Sequence, residues 1–442
     1  MNIGDVFECE ILSQGINGEG VARIDNFVVF VPFALPNEKV KIEIVSVKKS
    51  FANAKILEIT KKSSQRTLAP CPYFSVCGGC QIQCQNYLDQ LSFKRDLVAQ
   101  TLKKFLLKDV LVNETVRSEQ YNYRNKIELL FGENGLGYYS LDNSSIIPIK
   151  NCLLFAGELE HIINVFNKYI TNELVYNKVD DSGVAKALFI RCIEGRYSLT
   201  VVVTNNIDRV VYDFIVKDLK KFGVSFSLYE SINTIRNSTN ITPIIRNIYN
   251  PEKQKFNASG IVVEISPNSF LQVNNEVSAK MYEDVKDLIS ENDNVLNAYS
   301  GAGLLSAIIA TKAKKVFGVE IIENASKDAD ELCRRNRLRN VKNICGDCSK
   351  EIDKIIYDLE INDEQLNTII LDPPRKGCDE KVLASVCGCG VKKIIYISCN
   401  PASLGRDLSI LQNYYSIEQI TPYDMFPQTS KVETVVCLIK KP

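Results

Sequence analysis

The sequence predicts a multidomain α/β protein with a small N-terminal β-barrel, a central α+β region and a C-terminal open α/β domain. At 442 residues, the chain is too long to fold around a single hydrophobic core. Short β patterns alternate with turns at its start, whereas strands alternate with helices from Asp293 onward. Closely spaced cysteines lie between these two regions. We place the three parts at residues 1–62, 63–262 and 263–442.

The composition is that of a soluble globular protein, with 45% hydrophobic and 24% charged residues. No stretch approaches the roughly 20 apolar residues of a membrane span, and the first residues do not resemble a signal peptide. We therefore expect a cytoplasmic monomer with no membrane partner. The formal net charge is zero, but lysines concentrate in Lys39–Lys62 and arginines in Cys333–Asn340. Each basic run fits either a phosphate-contacting face or an ordinary solvated face.

The first 62 residues contain β patterns such as FECEILS, VARIDNFVVF and VKIEIVSV, with turns that include GINGEG. Turn signals at such short spacing are typical of a small all-β barrel. The lysine-rich hairpin suits contact with nucleic-acid phosphates. A structural β module that binds nothing has the same pattern.

The fifteen cysteines are clustered rather than spread in a disulfide pattern, which favours metal binding or catalysis over bridges. The motif CPYFSVCGGCQIQC contains Cys71, Cys77 and Cys80. Three thiolates need a fourth ligand to complete a tetrahedral zinc site or a four-iron cluster. Cys84 and Cys152 are both possible fourth ligands, and the spacing does not distinguish the two metals.

In the central region, apolar residues at helical spacing predict an amphipathic helix at Asn86–Leu107. The pattern from about residue 153 to residue 262 is that of mixed α/β structure. The segment Tyr121–Phe131 carries aromatic residues and cations beside a strand. Aromatic rings can stack on bases and cations can contact phosphates, so this segment suits RNA binding. An ordinary strand with a polar edge is the alternative. The only histidine, His161, is expected on a helix surface, so a mechanism with a histidine base is disfavoured.

The C-terminal region begins with the strand NVLNAY, the turn SGAG and the strand KVFGVE, which ends in Glu320. A glycine turn followed by an acidic residue at the end of the next strand is typical of a nucleoside site. Since the GxGxxG motif of dinucleotide sites is absent, S-adenosylmethionine (SAM) is favoured. Two further strands end at Asp372, in IILDPPRKG, and at Cys399, in IIYISCNPASLGR. Cys399 at the ligand edge of the sheet is a possible nucleophile, although a buried thiol of no function is the simpler alternative.

The motifs LDPPRKG, YISCNP, MFPQTSKVETVV and SPNSFLQVN, together with the N-terminal β pattern and the cysteine motif, make the chain resemble the RNA 5-methyluridine methyltransferase family. The resemblance covers essentially the whole chain. It implies an N-terminal TRAM domain that binds RNA, a central domain with a 4Fe-4S cluster, and a Rossmann-like SAM methyltransferase domain on which the helix near Asn86–Leu107 packs.

The same resemblance implies roles for individual residues. The nucleophile is Cys399, and the base that removes a proton is Glu433. The cluster ligands are Cys71, Cys77, Cys80 and Cys152. The residues that contact SAM are Gln272, Tyr299, Glu320 and Asp372. The positions that depart from the family pattern are Cys84, Leu271, Asn297, Ser300, Gln428 and Lys431, and we expect them to change SAM affinity rather than the reaction.

The expected reaction is methylation of uracil carbon 5 in RNA, with 23S rRNA favoured over tRNA. Arg406 or a helix N-terminus would help Cys399 to ionise, and the target base would be flipped out of its stack. A cytosine-5 methyltransferase is disfavoured because Arg375 follows Asp372-Pro373-Pro374. A radical-SAM enzyme would need a CxxxCxxC run, and a non-catalytic assembly factor would not need Cys399 and Glu433. The CGCG segment at Cys387–Gly390 is better explained as a turn than as a second metal pair.

Overall fold

The structure, a computed structural model, describes all residues from Met1 to Pro442 and contains four sheets. The N-terminal domain is one six-stranded sheet in the order β1-β5-β6-β4-β3-β2. Its strands are β1 Val6–Glu10, β2 Ser13–Gln14, β3 Gly20–Ile24, β4 Phe27–Val31, β5 Lys39–Val47 and β6 Phe51–Lys61. Alternate residues of β5, such as Val40 and Ile42, lie in a small apolar core, whereas Lys39 and Lys41 face solvent. Closure of this sheet into a barrel stays a prediction.

A buried ion pair connects the N-terminal domain to the segment that follows it. The fully buried carboxylate of Glu38 pairs with Arg66 and accepts hydrogen bonds from the N–H groups of Leu35 (2.9 Å) and Ser63 (3.3 Å). Arg66 also donates to the carbonyl of Phe33 at 2.6 Å. Because the charge of Glu38 is paired and hydrogen-bonded, its burial does not leave an unsatisfied group.

The long helix α1 (Tyr87–Leu106) precedes the central domain, which is built on a seven-stranded sheet in the order β13-β12-β11-β10-β7-β8-β9. Its elements are β7 Lys126–Gly132, β8 Gly135–Tyr139, β9 Ile146–Pro148, α2 Glu160–Tyr169, β10 Ala185–Ile193, β11 Arg196–Val203, α3 Arg209–Lys221, β12 Ser225–Ile232 and β13 Ile245–Tyr249. Helices α2 and α3 pack against the sheet through one apolar core. His161 of α2 is exposed and stacks on Phe222 at 4.2 Å between ring centroids.

A two-stranded hairpin, β14 (Gln254–Ala258) and β15 (Ile261–Ile265), leads into the C-terminal domain. Ile261, Val263 and Ile265 share an apolar core with residues of the C-terminal domain such as Met281 and Ile308. The boundary predicted between residues 262 and 263 falls inside β15.

The C-terminal domain is a seven-stranded sheet in the order β18-β17-β16-β19-β20-β22-β21. Its elements are α4 Asn275–Asp287, β16 Asn294–Ala298, α5 Leu304–Ile309, β17 Lys315–Glu320, α6 Glu323–Arg335, β18 Val341–Cys345, α7 Cys348–Ile361, β19 Thr368–Leu371, α8 Glu380–Gly388, β20 Lys393–Ser398, α9 Pro401–Leu411, β21 Tyr415–Tyr423 and β22 Glu433–Lys440. The first five strands in this order are parallel, and β22 pairs antiparallel with β20 and β21. The strand order reverses between β16 and β19, and a ligand crevice is expected beyond the carboxyl ends of these strands.

Helix α1 packs on the C-terminal domain rather than on the central sheet. Leu102 and Leu106 lie in the same apolar core as Leu404 of α9. The two helices approach so closely that a Cβ atom on Gly405 would lie 2.5 Å from the ring of Phe105. An amphipathic pattern explains the apolar face of α1, but not which domain covers it.

Polar contacts from α1 hold the loop that precedes β22. The ammonium group of Lys94 is fully buried, pairs with Asp424 and donates to the carbonyl of Phe426 at 3.0 Å. The side-chain amide of Gln90 donates to Gln428 Oε1 at 2.9 Å and accepts from the Gln428 N–H at 3.1 Å. Removing one partner of a buried ion pair typically lowers the free energy of unfolding by roughly 3–5 kcal/mol. The pair between Lys94 and Asp424 therefore holds this loop in place. No helix in the structure is both long and apolar enough to cross a membrane.

Candidate active site

Four of the residues predicted to act in the site lie along the carboxyl edge of the C-terminal sheet. Ala298 pairs with Val319 and with Leu371, so the next residues, Tyr299, Glu320 and Asp372, follow three adjacent strand ends. Leu371 in turn pairs with Tyr396 of β20, and that strand ends at Ser398, directly before Cys399. The parallel register therefore brings together strand ends that are far apart in the chain.

Cys399 and Glu433 face each other across two antiparallel strands. The last residue pair of β20 and β22 is Ser398 with Thr434, and one step further the register places Cys399 opposite Glu433. Glu433 is 3% exposed, whereas Cys399 is half-buried and open to a ligand. Sequence motifs predicted that both residues belong to the site, and the register gives the physical reason for their proximity.

Burial and mutual repulsion raise the pKa values of the acidic groups at this edge. Burial raises the pKa of Asp372 to about 7. Burial first, and then the charge of Asp372, raise the pKa of Glu433 well above its usual value. Burial, followed by Glu433 and Asp372, raises the pKa of Cys399 to about 11, while Arg375 acts in the opposite direction. A positive charge brought close to these groups would lower their pKa values again.

The glycine turn after β16 has groups suited to bind a polar ligand. Glu320 Oε2 accepts from the Gly301 N–H at 2.9 Å, and its Oε1 accepts from the Ile322 N–H at 2.8 Å. Both oxygens keep a lone pair for a ligand hydroxyl. The hydroxyl group of Ser300 is buried and has no hydrogen-bond partner, whereas the hydroxyl group of Tyr299 faces Cys378 and Asp379. Because buried polar groups in proteins are rarely unpartnered, Ser300 fits a site that a nucleoside ligand completes.

Gln272 lies at the same site, next to a residue that the sequence reasoning missed. The carbonyl of Gln272 accepts from Asn125 Nδ2 at 2.8 Å, which ties it to the central domain. The hydroxyl of Tyr282 on α4 faces Asp372, Glu433 and the Gln272 side chain. A tyrosine on the apolar face of a helix has the pattern of an ordinary core residue, so no sequence signal marked Tyr282.

Arg406 does not lie beside Cys399 as the sequence reasoning suggested. Its guanidinium group pairs with Asp407 at 2.6 Å and donates to the carbonyl of Cys378 at 3.2 Å. A cation that does act on Cys399 is Arg375, which opposes the rise in the pKa of that thiol. The alternative suggestion, a helix N-terminus, agrees with the position of Cys399 directly before the N-cap residue Asn400 of α9.

The segment Tyr121–Phe131 is less open to RNA than its composition suggested. Tyr123 is 7% exposed and donates to the carbonyl of Pro427 at 3.1 Å, so its ring is not free to stack on a base. Lys126 is half-buried over the ring of Phe189, at 5.0 Å from its centroid. Burial explains both differences, because aromatic residues and cations in a strand also serve domain packing.

Four cysteines line one mostly apolar cavity of about 330 Å³, namely Cys71, Cys77, Cys80 and Cys152. Cys84 lies apart from them, with its thiol 3.6 Å from the carbonyl of Phe33. Of the two possible fourth ligands, the structure therefore brings only Cys152 to the other three. No three His, Cys, Asp or Glu side chains are spaced to hold a single metal ion. Four thiols that line one cavity are the donor set that an iron–sulfur cluster requires.

Comparison with known proteins identifies the family of this chain. A family model described as tRNA (Uracil-5-)-methyltransferase matches residues 86–441, and a model of the TRAM domain matches residues 2–57. An RNA methyltransferase of Staphylococcus epidermidis is 32% identical over 438 residues, which cover 96% of this chain and 95% of the relative. One of Clostridium acetobutylicum is 33% identical over 453 residues, which cover 98% and 97%.

A solved structure has the same fold over the full length. The crystal structure of Pyrococcus abyssi tRNA (uracil-54, C5)-methyltransferase in complex with S-adenosyl-L-homocysteine aligns with a TM-score of 0.78 at 24% identity. The alignment covers 98% of this chain and 100% of that chain. The chain therefore belongs to the family of RNA uracil-5-methyltransferases and begins with a TRAM domain.

Proposed function

We propose that this enzyme methylates carbon 5 of a specific uridine in 23S rRNA, with Cys399 as the nucleophile and Glu433 as the base. The observation that carries the proposal is the antiparallel register that sets Cys399 opposite the buried Glu433. The edge they occupy also holds Asp372 and Tyr299. A thiol, a carboxylate and a nucleoside pocket on one edge are the groups that this reaction requires.

The proposed chemistry begins at carbon 6 of the uracil ring. The Cys399 thiolate forms a bond to carbon 6, and the electron pair of the carbon 5–carbon 6 double bond moves toward carbon 5 as an enolate. SAM, when bound, would supply the methyl group to carbon 5: its sulfur–methyl bond would break and S-adenosylhomocysteine would leave. Glu433 then accepts the proton of carbon 5, the double bond forms again, and the carbon–sulfur bond to Cys399 breaks. Atoms and charges balance, and no metal takes part in these bond changes.

The proposed SAM contacts come from Gln272, Tyr299, Glu320 and Asp372. Glu320 accepts from ribose hydroxyl groups, which is the usual role of an acidic residue at the end of the second strand. Tyr299 has a positive φ of 62°, which turns the chain sharply after β16 and opens the edge for a ligand. Burial raises the pKa of Asp372 to about 7, so a cation bound nearby would favour its ionised form.

The target base is proposed to reach Cys399 after it is flipped out of its stack. Phe270, two residues before Gln272, is 77% exposed. An exposed aromatic ring beside a catalytic pocket is suited to stack on an unpaired base. The sequence signal for Phe270 was present in SPNSFLQVN, but a phenylalanine in a motif could equally have been a core residue.

The cavity formed by Cys71, Cys77, Cys80 and Cys152 is proposed to hold a 4Fe-4S cluster that supports the structure rather than the chemistry. Replacing Cys152 with serine is expected to remove most of the iron and the visible absorbance of anaerobically purified protein, because one of four thiolates is lost. Replacing Cys84 with serine, the matched control, is expected to leave both unchanged. Zinc in place of iron in the wild-type protein, or iron loss in the Cys84 variant alone, would contradict this assignment.

The choice between rRNA and tRNA is tested by incubating the enzyme with labelled SAM and RNA from cells that lack its gene. We expect label at carbon 5 of one uridine in 23S rRNA. tRNA is the second substrate class, because the Pyrococcus abyssi protein of the same fold is named for uracil-54 of tRNA. Label in tRNA alone would replace the rRNA proposal. An absence of label in both RNAs, with SAM still bound, would refute uracil methylation.

A further inference from the structure

The loop before Glu433 is held in place by elements outside the C-terminal domain. The carbonyl of Gln428 accepts from the N–H groups of Gln81 (3.1 Å) and Ile82 (3.2 Å), next to the cysteine cavity. Further along, the Lys431 N–H donates to Thr429 Oγ1 at 3.2 Å. The backbone position of Lys431, two residues before Glu433, is therefore determined, while its side chain is exposed.

Two cations without an ion-pair partner act on Cys399, namely Arg375 and Lys431. The side-chain amide of Asn400, the residue after Cys399, donates to the Arg375 carbonyl at 3.1 Å, which places the Arg375 backbone beside the nucleophile position. Neither Arg375 nor Lys431 forms an ion pair with a carboxylate. The charged and titratable groups that face Lys431 are Arg375, Cys399 and Glu19, and burial and Arg375 lower its pKa. Two like charges held together cost free energy unless an anion joins them.

The anion that the proposed reaction creates at this place is the thiolate of Cys399. The acidic groups that face Cys399 are Glu433 and Asp372, and both oppose its ionisation. Tyr282 faces the same two carboxyl groups. Arg375 and Lys431 are therefore the positive charges available to offset them, since Arg406 is paired with Asp407.

The N-terminal domain reaches the same loop through its glycine turn. Gly18 has a φ of +86°, and a Cβ atom added to it would lie 2.6 Å from Ile82 Cγ2 and 3.5 Å from Ser430 Cβ. The next residue, Glu19, has a buried carboxylate oxygen with no hydrogen-bond partner. Glu19 thus brings a negative charge from the TRAM domain to Lys431.

We propose that Arg375 and Lys431 stabilise the Cys399 thiolate, and that Glu19 of the TRAM domain competes with Cys399 for the ammonium group of Lys431. The inference rests on the proposed role of Cys399 as the nucleophile. On ionisation, the proton of the Cys399 thiol passes to solvent, and the negative charge left on sulfur is balanced by the two cations. Lys431 and Arg375 act through Cys399, so they are positioning residues rather than catalytic ones.

The test is the rate at which iodoacetamide alkylates Cys399 as a function of pH, followed by mass spectrometry of the peptide that contains Cys399. The full-length protein is used without RNA. Alkylation joins sulfur to carbon and releases iodide, so its rate follows the thiolate fraction. Lys431→Met is expected to raise the apparent pKa by about one unit and to slow alkylation at pH 8 by about tenfold. Arg375→Met is expected to act in the same direction.

Matched variants separate charge from structure. Lys431→Arg is expected to keep the wild-type profile, because the charge is retained. Glu19→Gln is expected to speed alkylation by about twofold, because Lys431 is freed. Lys342→Met, which removes an exposed lysine on β18, is the control and should change nothing. Folding of each variant is checked by its thermal melting curve.

An unchanged alkylation profile in the Lys431→Met and Arg375→Met double variant would overturn the inference. If that variant also binds RNA more weakly, the two cations would be assigned to RNA phosphates instead. The result is independent of methyl transfer, because alkylation needs neither RNA nor SAM. An enzyme that failed to methylate uridine could still show the predicted profile, so the two proposals fail separately.

Discussion

Replacing Cys399 with alanine is expected to lower uracil methylation by at least about 10⁴-fold while SAM binding stays within about twofold of wild type. Carbon 5 of uracil does not attack a methyl group unless a nucleophile adds to carbon 6, and Cys399 is the thiol that faces Glu433. Alanine removes only the sulfur and leaves the fold intact. The measurement is transfer of labelled methyl groups to RNA, with SAM affinity determined by calorimetry.

The control for this prediction is Cys387→Ala, which removes a half-buried thiol of α8 in the same domain. We expect this variant to methylate RNA at the wild-type rate. Methylation by the Cys399 variant at a similar rate would contradict the nucleophile assignment. Loss of SAM binding in that variant would instead show that Cys399 supports the pocket.

The positions of the reacting residues could be predicted from the sequence because each follows a strand pattern that stops abruptly. Asp372 follows the apolar run of β19 and Cys399 follows that of β20, and in a parallel sheet such ends share one edge. Glu433 is the exception, because it begins β22 and only the resemblance of MFPQTSKVETVV to the family motif indicated it. What the sequence lacked was the register, which sets Cys399 opposite Glu433 rather than one residue away.

Contacts between distant segments were the part that could not be predicted. Cys84 is close to Cys80 in sequence, yet Cys152 is the cysteine that shares the cavity. Arg406 is close to Cys399 in sequence, yet its neighbour Asp407 pairs with it. The approach of Gly18 to Ser430, which brings Glu19 toward Lys431, depends on how the N-terminal domain is placed, for which the sequence has no local signal. Tertiary packing decides each of these cases.

Replacing Glu433 with glutamine is expected to slow turnover by about 10³-fold and to trap RNA covalently on Cys399. Glutamine fills the same space but does not accept the proton of carbon 5, so methyl transfer proceeds and the elimination of Cys399 does not. The measurement is a shift of the enzyme band on a denaturing gel with labelled RNA, followed by mass spectrometry of the adduct, which should carry the new methyl group.

Two further variants make this prediction specific. Cys399→Ala combined with Glu433→Gln should form no adduct, because the attachment point is gone. Glu418→Gln, which changes an exposed carboxylate on β21, should turn over like wild type.

Burial and Asp372 raise the pKa of Glu433, so the ionised base becomes more abundant as pH rises. Wild-type turnover should therefore increase with pH. If Glu433→Gln blocks proton removal, the residual turnover of this variant should no longer show the increase with pH that comes from ionisation of Glu433. An unchanged pH profile would assign the base to another group.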